Sequence, residues 1–342
     1  MSNADPEVSV VVPVYNGERY IREAIESVLR EAEELAVELV VIDDGSTDST
    51  PEILSEYSAH DPRVIVDRDR GPTIATALNR GCGIANASFL ARLDADDADL
   101  PGRLRAQRDF LVDHPEVVLL GGQPVLVDEE GREFGTARYP LDDAALREAM
   151  RMTNPFVHSA VMMRRSAFEA AGGYRANLPH AEDLDLWLRL AERGKLANLP
   201  DAVVRYRIHG GQLSLEKQAD QAVYAEATRV SARARRAGQP DPLEGAELVD
   251  EEFLVAHGVD RREITAAVID SATWLARTSG RAGYAGAEAQ LIASAYDRAR
   301  SESGSRALVA RVHRSVAHRH AEQGHPIRAK LKAAQARLAE RA

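Results

Sequence analysis

The sequence predicts an α/β protein, in which a mostly parallel sheet with helices on both faces is followed by an all-α region. Short β-branched runs alternate with amphipathic stretches up to Ser214, after which strand-like runs stop and alanine and arginine dominate. This alternation is typical of parallel strands that are linked by helices. The chain of 342 residues also exceeds the length of one ordinary domain. We therefore expect two domains, residues 1–214 and residues 215–342.

Each element of the first domain follows from a local pattern. Val8–Val14 is nearly all β-branched, as a buried parallel strand requires. Pro51 stands where a proline is favoured in the first turn of a helix. The further strands are expected over about 38–42, 63–66 and 89–93, and the helices over about 18–30, 50–58 and 73–85. Ligands of such sheets bind beyond the carboxyl ends of the strands.

The second domain is predicted to consist of helices. Gly or Pro separates several of its Ala-rich and Arg-rich stretches, and these residues commonly end a helix. The helices are expected over about 216–237, 246–257, 261–279, 283–301, 304–322 and 326–341. In the helix over 304–322, apolar residues share one side, which suits packing on a core and contact with a membrane equally.

Charge differs between the two predicted domains. Residues 1–214 contain 23 Lys and Arg and 37 Asp and Glu, a net charge of −14, whereas residues 215–342 carry +3. An acidic body argues against nucleic-acid binding and suits a site for a metal cation. Residues 298–342 contain 11 basic and 3 acidic side chains. This basic end is explained either by pairing with acids of the same chain or of a partner in a homodimer, or by peripheral contact with an anionic membrane.

Composition excludes several further classes of protein. Hydrophobic residues make up 44% of the chain and charged residues 28%, which is usual for a globular protein. No apolar run approaches the roughly 18 residues of a transmembrane helix, and the first residues lack a secretory signal. The single Cys82 excludes a disulfide framework. A cytoplasmic location is expected, at the inner face of the membrane if the basic end binds lipid.

Acidic residues directly follow two of the predicted strands. Asp43 and Asp44 follow the strand over 38–42. Asp94, Asp96 and Asp97, in the segment Leu-Asp-Ala-Asp-Asp, follow the strand over 89–93. Because the carboxyl ends of parallel strands share one edge of a sheet, we expect four or five carboxylates to converge there. Such repulsion is costly without a cation, and Mg²⁺ or Mn²⁺ bound by carboxylates commonly shares substrate phosphates. The alternative is that these residues are solvated loop acids.

Other phosphate-binding and catalytic motifs are missing from the sequence. It contains no GxxxxGK[ST] loop, and residues 13–17 after the first strand do not match GxGxxG. Neither a G-x-S-x-G elbow nor HExxH occurs. P-loop NTPases and dinucleotide-dependent oxidoreductases are therefore disfavoured.

Five segments together resemble the inverting glycosyltransferases of family 2, which have the GT-A fold. They are VSVVVPVYNGERYIREAIESVL, ELVVIDDGSTDST, ATALNRG, ARLDADDADLPGRLRAQ and HAEDLDLWLRLAERG, in this order. The resemblance covers most of residues 8–214 and implies a Rossmann-like GT-A sheet. It implies transfer of a sugar from a nucleoside-diphosphate sugar, with UDP- or dTDP-sugars favoured. The absence of a Gln-x-x-Arg-Trp motif favours transfer of a single sugar over synthesis of an extruded polymer.

The resemblance implies roles for residues on the donor side. Pro13, Tyr15 and Asn16, in the loop expected after the first strand, match residues that cradle the base and ribose. Asp44 matches an acid that accepts a hydrogen bond from a pyrimidine ring. Asp94 matches the first acid of the DxD pair, near the ribose and sugar. Plain packing is the alternative for Tyr15.

Further residues match the metal, catalytic and acceptor positions. Asp96 matches the second acid of the DxD pair, which ligates the Mg²⁺ or Mn²⁺ that bridges the diphosphate. Asp183 matches the catalytic base, with helix N-capping as the alternative. His209 is a candidate metal or phosphate contact in a loop near the diphosphate. His158 matches a segment that lines the acceptor side, and Glu182 is expected to support the site rather than act as the base.

Two other functions stay open on the sequence. Asp94 and Asp96 also suit a phosphatase of the haloacid dehalogenase type, although that class places its acid pair after the first strand and has a downstream lysine. The other alternative is a non-catalytic protein that binds a nucleotide-sugar or a glycan. For a transferase, the sequence leaves the acceptor open among glycans, lipid-linked molecules and small secondary metabolites.

Overall fold

The computed structural model describes residues 5–31, 35–209, 215–301 and 306–322, together with Lys332, Gln335 and Ala336. The chain divides into two units. The first comprises residues 1–127 and 135–207, and the second comprises residues 128–134 and 208–342. The boundary predicted at residue 214 lies outside the described residues, so the two-domain division at that position stays a prediction.

The first unit is an α/β structure, as predicted. Its strands are β1 (Val8–Val14), β2 (Val37–Asp43), β3 (Val64–Arg68), β4 (Phe89–Arg92), β5 (Ala98–Asp99), β6 (Val117–Val127), β8 (Met162–Arg164) and β9 (Lys195–Arg207). A further strand, β7 (Glu133–Thr136), has residues in both units. Its helices are α1 (Ile21–Glu31), α2 (Thr50–His60), α3 (Ile74–Ile84), α4 (Arg103–Asp113), α5 (Asp143–Ala149), α6 (Arg165–Ala171) and α7 (Glu182–Leu190). The alternation predicted for residues 8–93 is confirmed.

The strands form one mixed sheet in the order β3-β2-β1-β4-β8-β6-β9-β5, with β7 paired to β6. The first four strands are parallel, and β6 pairs with β9 in parallel. Between these groups β8 runs antiparallel to both β4 and β6. The carboxyl ends of β2 and β4 therefore flank the end of β1 at one edge of the sheet. Pro13 was predicted to lie in the loop after β1, but it lies inside β1, opposite Ile42.

The core of the first unit lies between this sheet and its helices. Every residue of β1 and β2 is buried, as expected for parallel strands covered on both faces. On one face, α1 buries Ile21, Ala24, Ile25 and Val28 at helical spacing. On α3, a Cβ added to Gly81 would lie 2.5 Å from Val11 Cγ1, so glycine permits this close approach of helix and strand.

The second unit is helical, as predicted. Its helices are α8 (Leu215–Arg236), α9 (Glu251–Ala256), α10 (Arg261–Arg281), α11 (Ala285–Ser301) and α12 (Arg306–Glu322). Leu308, Val312 and Val316 of α12 pack in a core with buried residues of α10 and α11. The apolar side of α12 therefore serves the protein core. The helix predicted over 326–341 falls almost entirely outside the described residues.

Basic side chains of the second unit pair with acids of the same unit. Arg298 donates to the Glu251 carboxylate, and Arg311 forms two hydrogen bonds with the Asp270 carboxylate. Pairing with acids of the same chain, one of the explanations for the basic end, is therefore realised for these two arginines. None of the helices in the described ranges combines the length and apolarity that crossing a bilayer requires.

Arg103 is a fully buried charge at the start of α4. Its guanidinium pairs with Asp99 and donates to Gln107 Oε1 at 3.0 Å. It also donates to the carbonyl oxygens of Arg92 at 2.8 Å and of Val161 at 3.2 Å. One side chain thus ties α4 to the end of β4 and to the segment before β8.

We expect Arg103→Ala to lower the free energy of unfolding by about 3–5 kcal/mol, because Asp99 would be left buried without its cation. Urea unfolding followed by circular dichroism measures this loss. The matched control is Arg105→Ala, an exposed arginine on the same helix, which should cost less than about 1 kcal/mol. Equal losses in the two variants would contradict the role given to Arg103.

Candidate active site

Three acids that follow β4 form the compact cluster of the site. One carboxylate oxygen each of Asp94, Asp96 and Asp97 lies within 4.8 Å of the others. Asp43 is not part of this cluster: its carboxylate accepts from Ser46 N at 2.8 Å and lies 3.3 Å from Arg68 Nε. Among the described residues, the acids that converge are therefore three and not the four or five expected, although both groups end strands at one sheet edge.

Asp94 is held by two buried side chains. Arg92, the last residue of β4, pairs with Asp94 Oδ2, and the Ser159 hydroxyl donates to the same oxygen at 2.7 Å. The Asp94 backbone N–H in turn donates to Ser159 Oγ at 3.0 Å. Burial alone raises the pKa of Asp94, but Arg92 and Ser159 outweigh it and leave that pKa below its ordinary value.

Asp97 is the most deeply buried acid of the cluster and is 1% exposed. Its Oδ1 accepts from the backbone N–H of Arg207 at 2.7 Å, whereas its buried Oδ2 has no hydrogen-bond partner. Burial, together with the charges of Asp96 and Asp94, raises the pKa of Asp97 well above its ordinary value. Arg207 also donates to the Asp96 carbonyl oxygen at 2.8 Å, so this one residue fixes the backbone of the acidic loop.

These features fit a divalent cation. Three carboxylates gathered within a few ångströms repel one another, and a buried carboxylate oxygen without a donor lacks compensation for its lost hydration. Oxygen ligands of this kind are those that Mg²⁺ and Mn²⁺ take.

The loops after β1 and β2 are joined to each other. Asn16 Oδ1 accepts from Thr47 N at 2.8 Å, and Asn16 N donates to Ser46 Oγ at 2.9 Å. Gly17 N donates to Thr50 Oγ1 at 2.9 Å. Asn16 has φ 50°, a left-handed conformation that costs free energy unless the surroundings hold it. The side chain of Asn16 is thus engaged in joining the two loops.

The other donor-side candidates differ in exposure. Tyr15 is 60% exposed, so the alternative that it is a packing residue is wrong. Pro13 is buried within β1. Asp44 accepts from Gly71 N at 3.2 Å, and its own N–H donates to Val14 O at 2.8 Å. Burial is the main cause that raises the pKa of Asp44. Of these three residues, Tyr15 has the side chain most available to a ligand.

The second acidic pair begins α7. Asp183 Oδ2 accepts from Asn154 Nδ2 at 2.6 Å, and Oδ1 accepts from Leu184 N at 2.6 Å. The N-cap residue is Ala181, so the alternative that Asp183 caps the helix is wrong. Ala181 has φ 57°, and within the described chain it and Asn16 are the non-glycine residues with positive φ. Backbone strain of this kind persists where the surrounding structure enforces it.

Burial controls the protonation of this pair. It raises the pKa of Asp183, opposed by hydrogen bonds from Leu184 and Asn154 and by the charge of Arg92. Burial and repulsion from Asp183 raise the pKa of Glu182 to about 8. Glu182 is therefore mostly neutral at pH 7. Asp94 contributes to the shift of Glu182, which relates the two acidic groups electrostatically.

His158 packs beside Glu182. Its Nε2 lies 2.9 Å from the Tyr174 hydroxyl, and its Nδ1 lies 4.0 Å from Glu182 Oε1. The ring meets Trp187 edge-on at 5.6 Å. Burial and the charge of Arg92 lower the pKa of His158 well below its ordinary value, so the ring is neutral at pH 7.

His209 lies two residues beyond the end of β9 and belongs to the second unit. Its role as a metal or phosphate contact stays a prediction. Arg205 and Arg207 lie two residues apart on β9 in unbroken register with β6, so they face the same side of the strand. Arg207 is 2% exposed, with its guanidinium 4.7 Å from the Tyr20 ring centroid.

Residues that orient the predicted acids were not identified from the sequence. Ser159 lies 65 positions from Asp94, and Asn154 lies 29 positions from Asp183. Neither belongs to a pattern that reveals its partner. Arg92 carries a weak signal, because a charged residue in the otherwise apolar strand Phe-Leu-Ala-Arg is unusual next to an acidic loop.

The family described as Glycosyl transferase family 2 matches residues 9–172. An uncharacterized glycosyltransferase of Haemophilus influenzae is 34% identical over 219 residues, which span 61% of this chain and 68% of the relative. The amylovoran biosynthesis glycosyltransferase AmsE of Erwinia amylovora is 34% identical over 203 residues, which span 58% of this chain and 75% of that protein.

Solved structures share the fold at low sequence identity. S. aureus TarS 1-349 in complex with UDP-GlcNAc is 17% identical, with a TM-score of 0.56 over 97% of this chain and 92% of that chain. Mannosyltransferase PcManGT from Pyrobaculum calidifontis, in complex with GDP-Man and Mn²⁺, is also 17% identical. Its TM-score is 0.52 over 97% of this chain and 88% of that chain. These likenesses confirm the GT-A type of fold.

The raised pKa of Glu182 predicts a stability change with pH. The folded state holds this proton up to about pH 8, whereas an unfolded glutamate loses it near its ordinary pKa of 4.5. Stability from this group is therefore present below about pH 4.5 and is lost as pH rises towards 8. Since glutamine cannot ionise, we expect the Tm of Glu182→Gln minus that of the wild type to become more positive between pH 6 and pH 9. Differential scanning calorimetry measures both.

The control for this prediction is Glu192→Gln, which changes an exposed glutamate just after α7. Its Tm difference from the wild type should stay constant over the same pH range. A Glu182→Gln difference that also stays constant would show that Glu182 ionises in the folded state as it does in the unfolded chain.

Proposed function

The chain belongs to glycosyl transferase family 2, and we propose that it is a metal-dependent inverting enzyme that transfers one sugar from a nucleoside-diphosphate sugar to an acceptor hydroxyl. UDP- and dTDP-sugars are the favoured donors. Two features of the site together carry this proposal. One is the three-carboxylate cluster after β4, and the other is the partly buried carboxylate of Asp183, each of whose oxygens accepts one hydrogen bond. The first suits a diphosphate-bound cation and the second suits a general base.

In this proposal Asp183 removes the proton of the acceptor hydroxyl as that oxygen attacks the anomeric carbon. Asn154 and the N–H of Leu184 orient the carboxylate, and its raised pKa suits proton uptake. The bond from the anomeric carbon to the diphosphate oxygen breaks on the opposite face. One base and a single displacement invert the anomeric configuration, whereas retention needs a second carboxylate as nucleophile.

The donor would lie along the edge formed by the ends of β1, β2 and β4. Tyr15 offers an exposed ring to the base, and Asp44 is the predicted acceptor from a pyrimidine. Pro13 and Asn16 support this loop through β1 and through hydrogen bonds to the β2 loop. Asp94 is assigned to hydroxyl groups of the ribose and sugar.

Asp96 and Asp97 would hold Mg²⁺ or Mn²⁺, with His209 as a predicted further contact. When bound, such a cation stabilises the negative charge that develops on the leaving diphosphate. The residues of the chain supply the fixed carboxylates: Arg207 holds both Asp96 and Asp97 through their backbone or side-chain oxygens.

The acceptor side is assigned to the segment around His158 and Glu182. His158 and Glu182 are both neutral at pH 7, so neither adds a charge next to the proposed base. AmsE is named for amylovoran biosynthesis, which supports a glycan acceptor for this chain. Lipid-linked and small-molecule acceptors remain within the proposal.

The helical second unit is not assigned to chemistry. The apolar side of α12 is buried, and Arg298 and Arg311 pair within the unit. These contacts reduce the basic, apolar surface that a membrane would meet. Peripheral membrane contact, homodimer formation and a cytoplasmic location stay predictions from the sequence.

Family membership excludes the phosphatase alternative, since the family is one of glycosyltransferases. A chain that binds nucleotide-sugar without turnover stays as the second candidate. Release of nucleoside diphosphate from a panel of UDP-, dTDP- and GDP-sugars, with and without Mn²⁺, separates binding from catalysis.

Replacement of the proposed base tests the catalytic assignment. We expect Asp183→Asn to reduce transfer by at least about 10², the scale of a lost general base, and to leave the Kd for UDP with Mn²⁺ nearly unchanged. Turnover and calorimetric titration on the same preparation measure both. Glu182→Gln, which mimics the neutral acid, should retain transfer at pH 7 within about tenfold. Near-normal transfer by Asp183→Asn would sink the assignment.

Replacement of Asp96 tests the cation site. We expect Asp96→Ala to weaken Mn²⁺-dependent binding of UDP by at least about tenfold, because a carboxylate ligand is lost. Calorimetry with UDP in the presence and absence of Mn²⁺ gives the metal-dependent part. Asp113→Ala, which removes an exposed acid at the end of α4, is the matched control and should leave binding unchanged. Equal binding by both variants would show that Asp96 does not hold the cation.

A further inference from the structure

Arg92 is a buried arginine whose contacts converge on one carboxylate. Its side chain is 3% exposed, and its Nη1 pairs with Asp94 Oδ2 and donates to Ser159 Oγ at 3.1 Å. Its Nε is buried without a hydrogen-bond partner. Arg103, by comparison, directs its guanidinium to four oxygens on Asp99, Gln107, Arg92 and Val161. Arg92 is thus poorly explained as a structural cross-link.

The contacts of Asp94 are divided between its two oxygens. Arg92 and Ser159 both engage Oδ2, so this oxygen is saturated and its direction is fixed. The Asp94 backbone N–H is held by the same Ser159 hydroxyl. Ser159 itself is fully buried. The carboxylate is consequently held through Oδ2, by one charged and one neutral donor.

Charge compensation separates Asp94 from Asp97. The negative charge of Asp94 is matched by the adjacent guanidinium of Arg92, which is buried away from bulk water. Asp97 receives a backbone N–H from Arg207 and keeps a buried oxygen without a donor. Because a nearby positive charge weakens the attraction of a carboxylate for a cation, Asp94 binds a metal less strongly than it would without Arg92.

We propose that Arg92 is a positioning residue that withholds Asp94 from the cation and presents it to hydroxyl groups of the donor, while Asp96 and Asp97 face the cation. The inference rests on the proposed function and adds the residue that divides the cluster. Ser159 shares the orienting role through its hydrogen bonds but carries none of the charge.

The test is a double-mutant cycle of Arg92 and Asp94. Binding of Mn²⁺ to the full chain without nucleotide is measured by electron paramagnetic resonance at pH 8. Removing the positive charge of the pair should raise the affinity for Mn²⁺, and removing the negative charge should lower it. We expect Arg92→Gln to tighten binding by at least about fivefold and Asp94→Asn to weaken it by at least about fivefold. The double variant restores the net charge and should bind Mn²⁺ within about threefold of the wild type.

Turnover of the donor should show the other half of the role. The double variant is expected to lose at least about tenfold in kcat/KM for the nucleotide-sugar while it keeps Mn²⁺, because the fixed acceptor for its hydroxyl groups is gone. Arg92→Lys, which keeps the charge, should bind Mn²⁺ within about threefold of the wild type and recover part of the turnover. Thermal unfolding checks that each variant is folded.

If the double variant binds Mn²⁺ more than about threefold more weakly than the wild type, Asp94 is itself a metal ligand and the inference is overturned. Should Arg92→Gln fail to fold, the double variant and Arg92→Lys still decide, since a neutral pair leaves no charge buried alone. A wild-type chain that binds no Mn²⁺ either alone or with UDP would overturn the proposed function as well, whereas failure of the double variant alone overturns only the division of the cluster.

Discussion

Negative charge held partly out of water is the constraint that shapes this molecule. Asp94, Asp96 and Asp97 crowd the loop after β4, and Glu182 and Asp183 begin α7. Carboxylates in such surroundings are stable only when they are protonated, hydrogen-bonded or paired with a cation. All three occur in this chain: Glu182 is protonated, Asp183 is hydrogen-bonded, and Asp94 is paired with the cation of Arg92.

Several side chains around the site fix the positions of these acids. Arg92 and Ser159 hold Asp94, Arg207 holds the loop from behind, and Asn154 holds Asp183. Arg103 links α4 to the end of the strand that carries Arg92. Outside the glycines, left-handed backbone in the described chain occurs at the two loops that enter the site, where hydrogen bonds and packing must offset its free-energy cost.

Sequence patterns predict those parts of the site that lie close together along the chain. Three of the four parallel strands, β1, β2 and β3, follow from β-branched runs, and the cluster after β4 follows from acids that are close in sequence. The orienting contacts are different in kind, because Arg207 lies 110 positions from Asp97 and Ser159 lies 65 positions from Asp94. Such pairs are brought together by the antiparallel β8 and by β9, whose pairing no local pattern encodes. The burial that leaves Glu182 neutral also depends on this tertiary packing.

A crystal structure of the chain with a UDP-sugar and Mn²⁺, recorded with anomalous diffraction from manganese, tests this account of the site most directly. We expect an anomalous peak ligated by Asp96, Asp97 and the diphosphate, with Asp94 still paired to Arg92 and hydrogen-bonded to a hydroxyl of the nucleotide-sugar. A peak ligated by Asp94 with Arg92 displaced, or a peak outside the three-acid cluster, would contradict it.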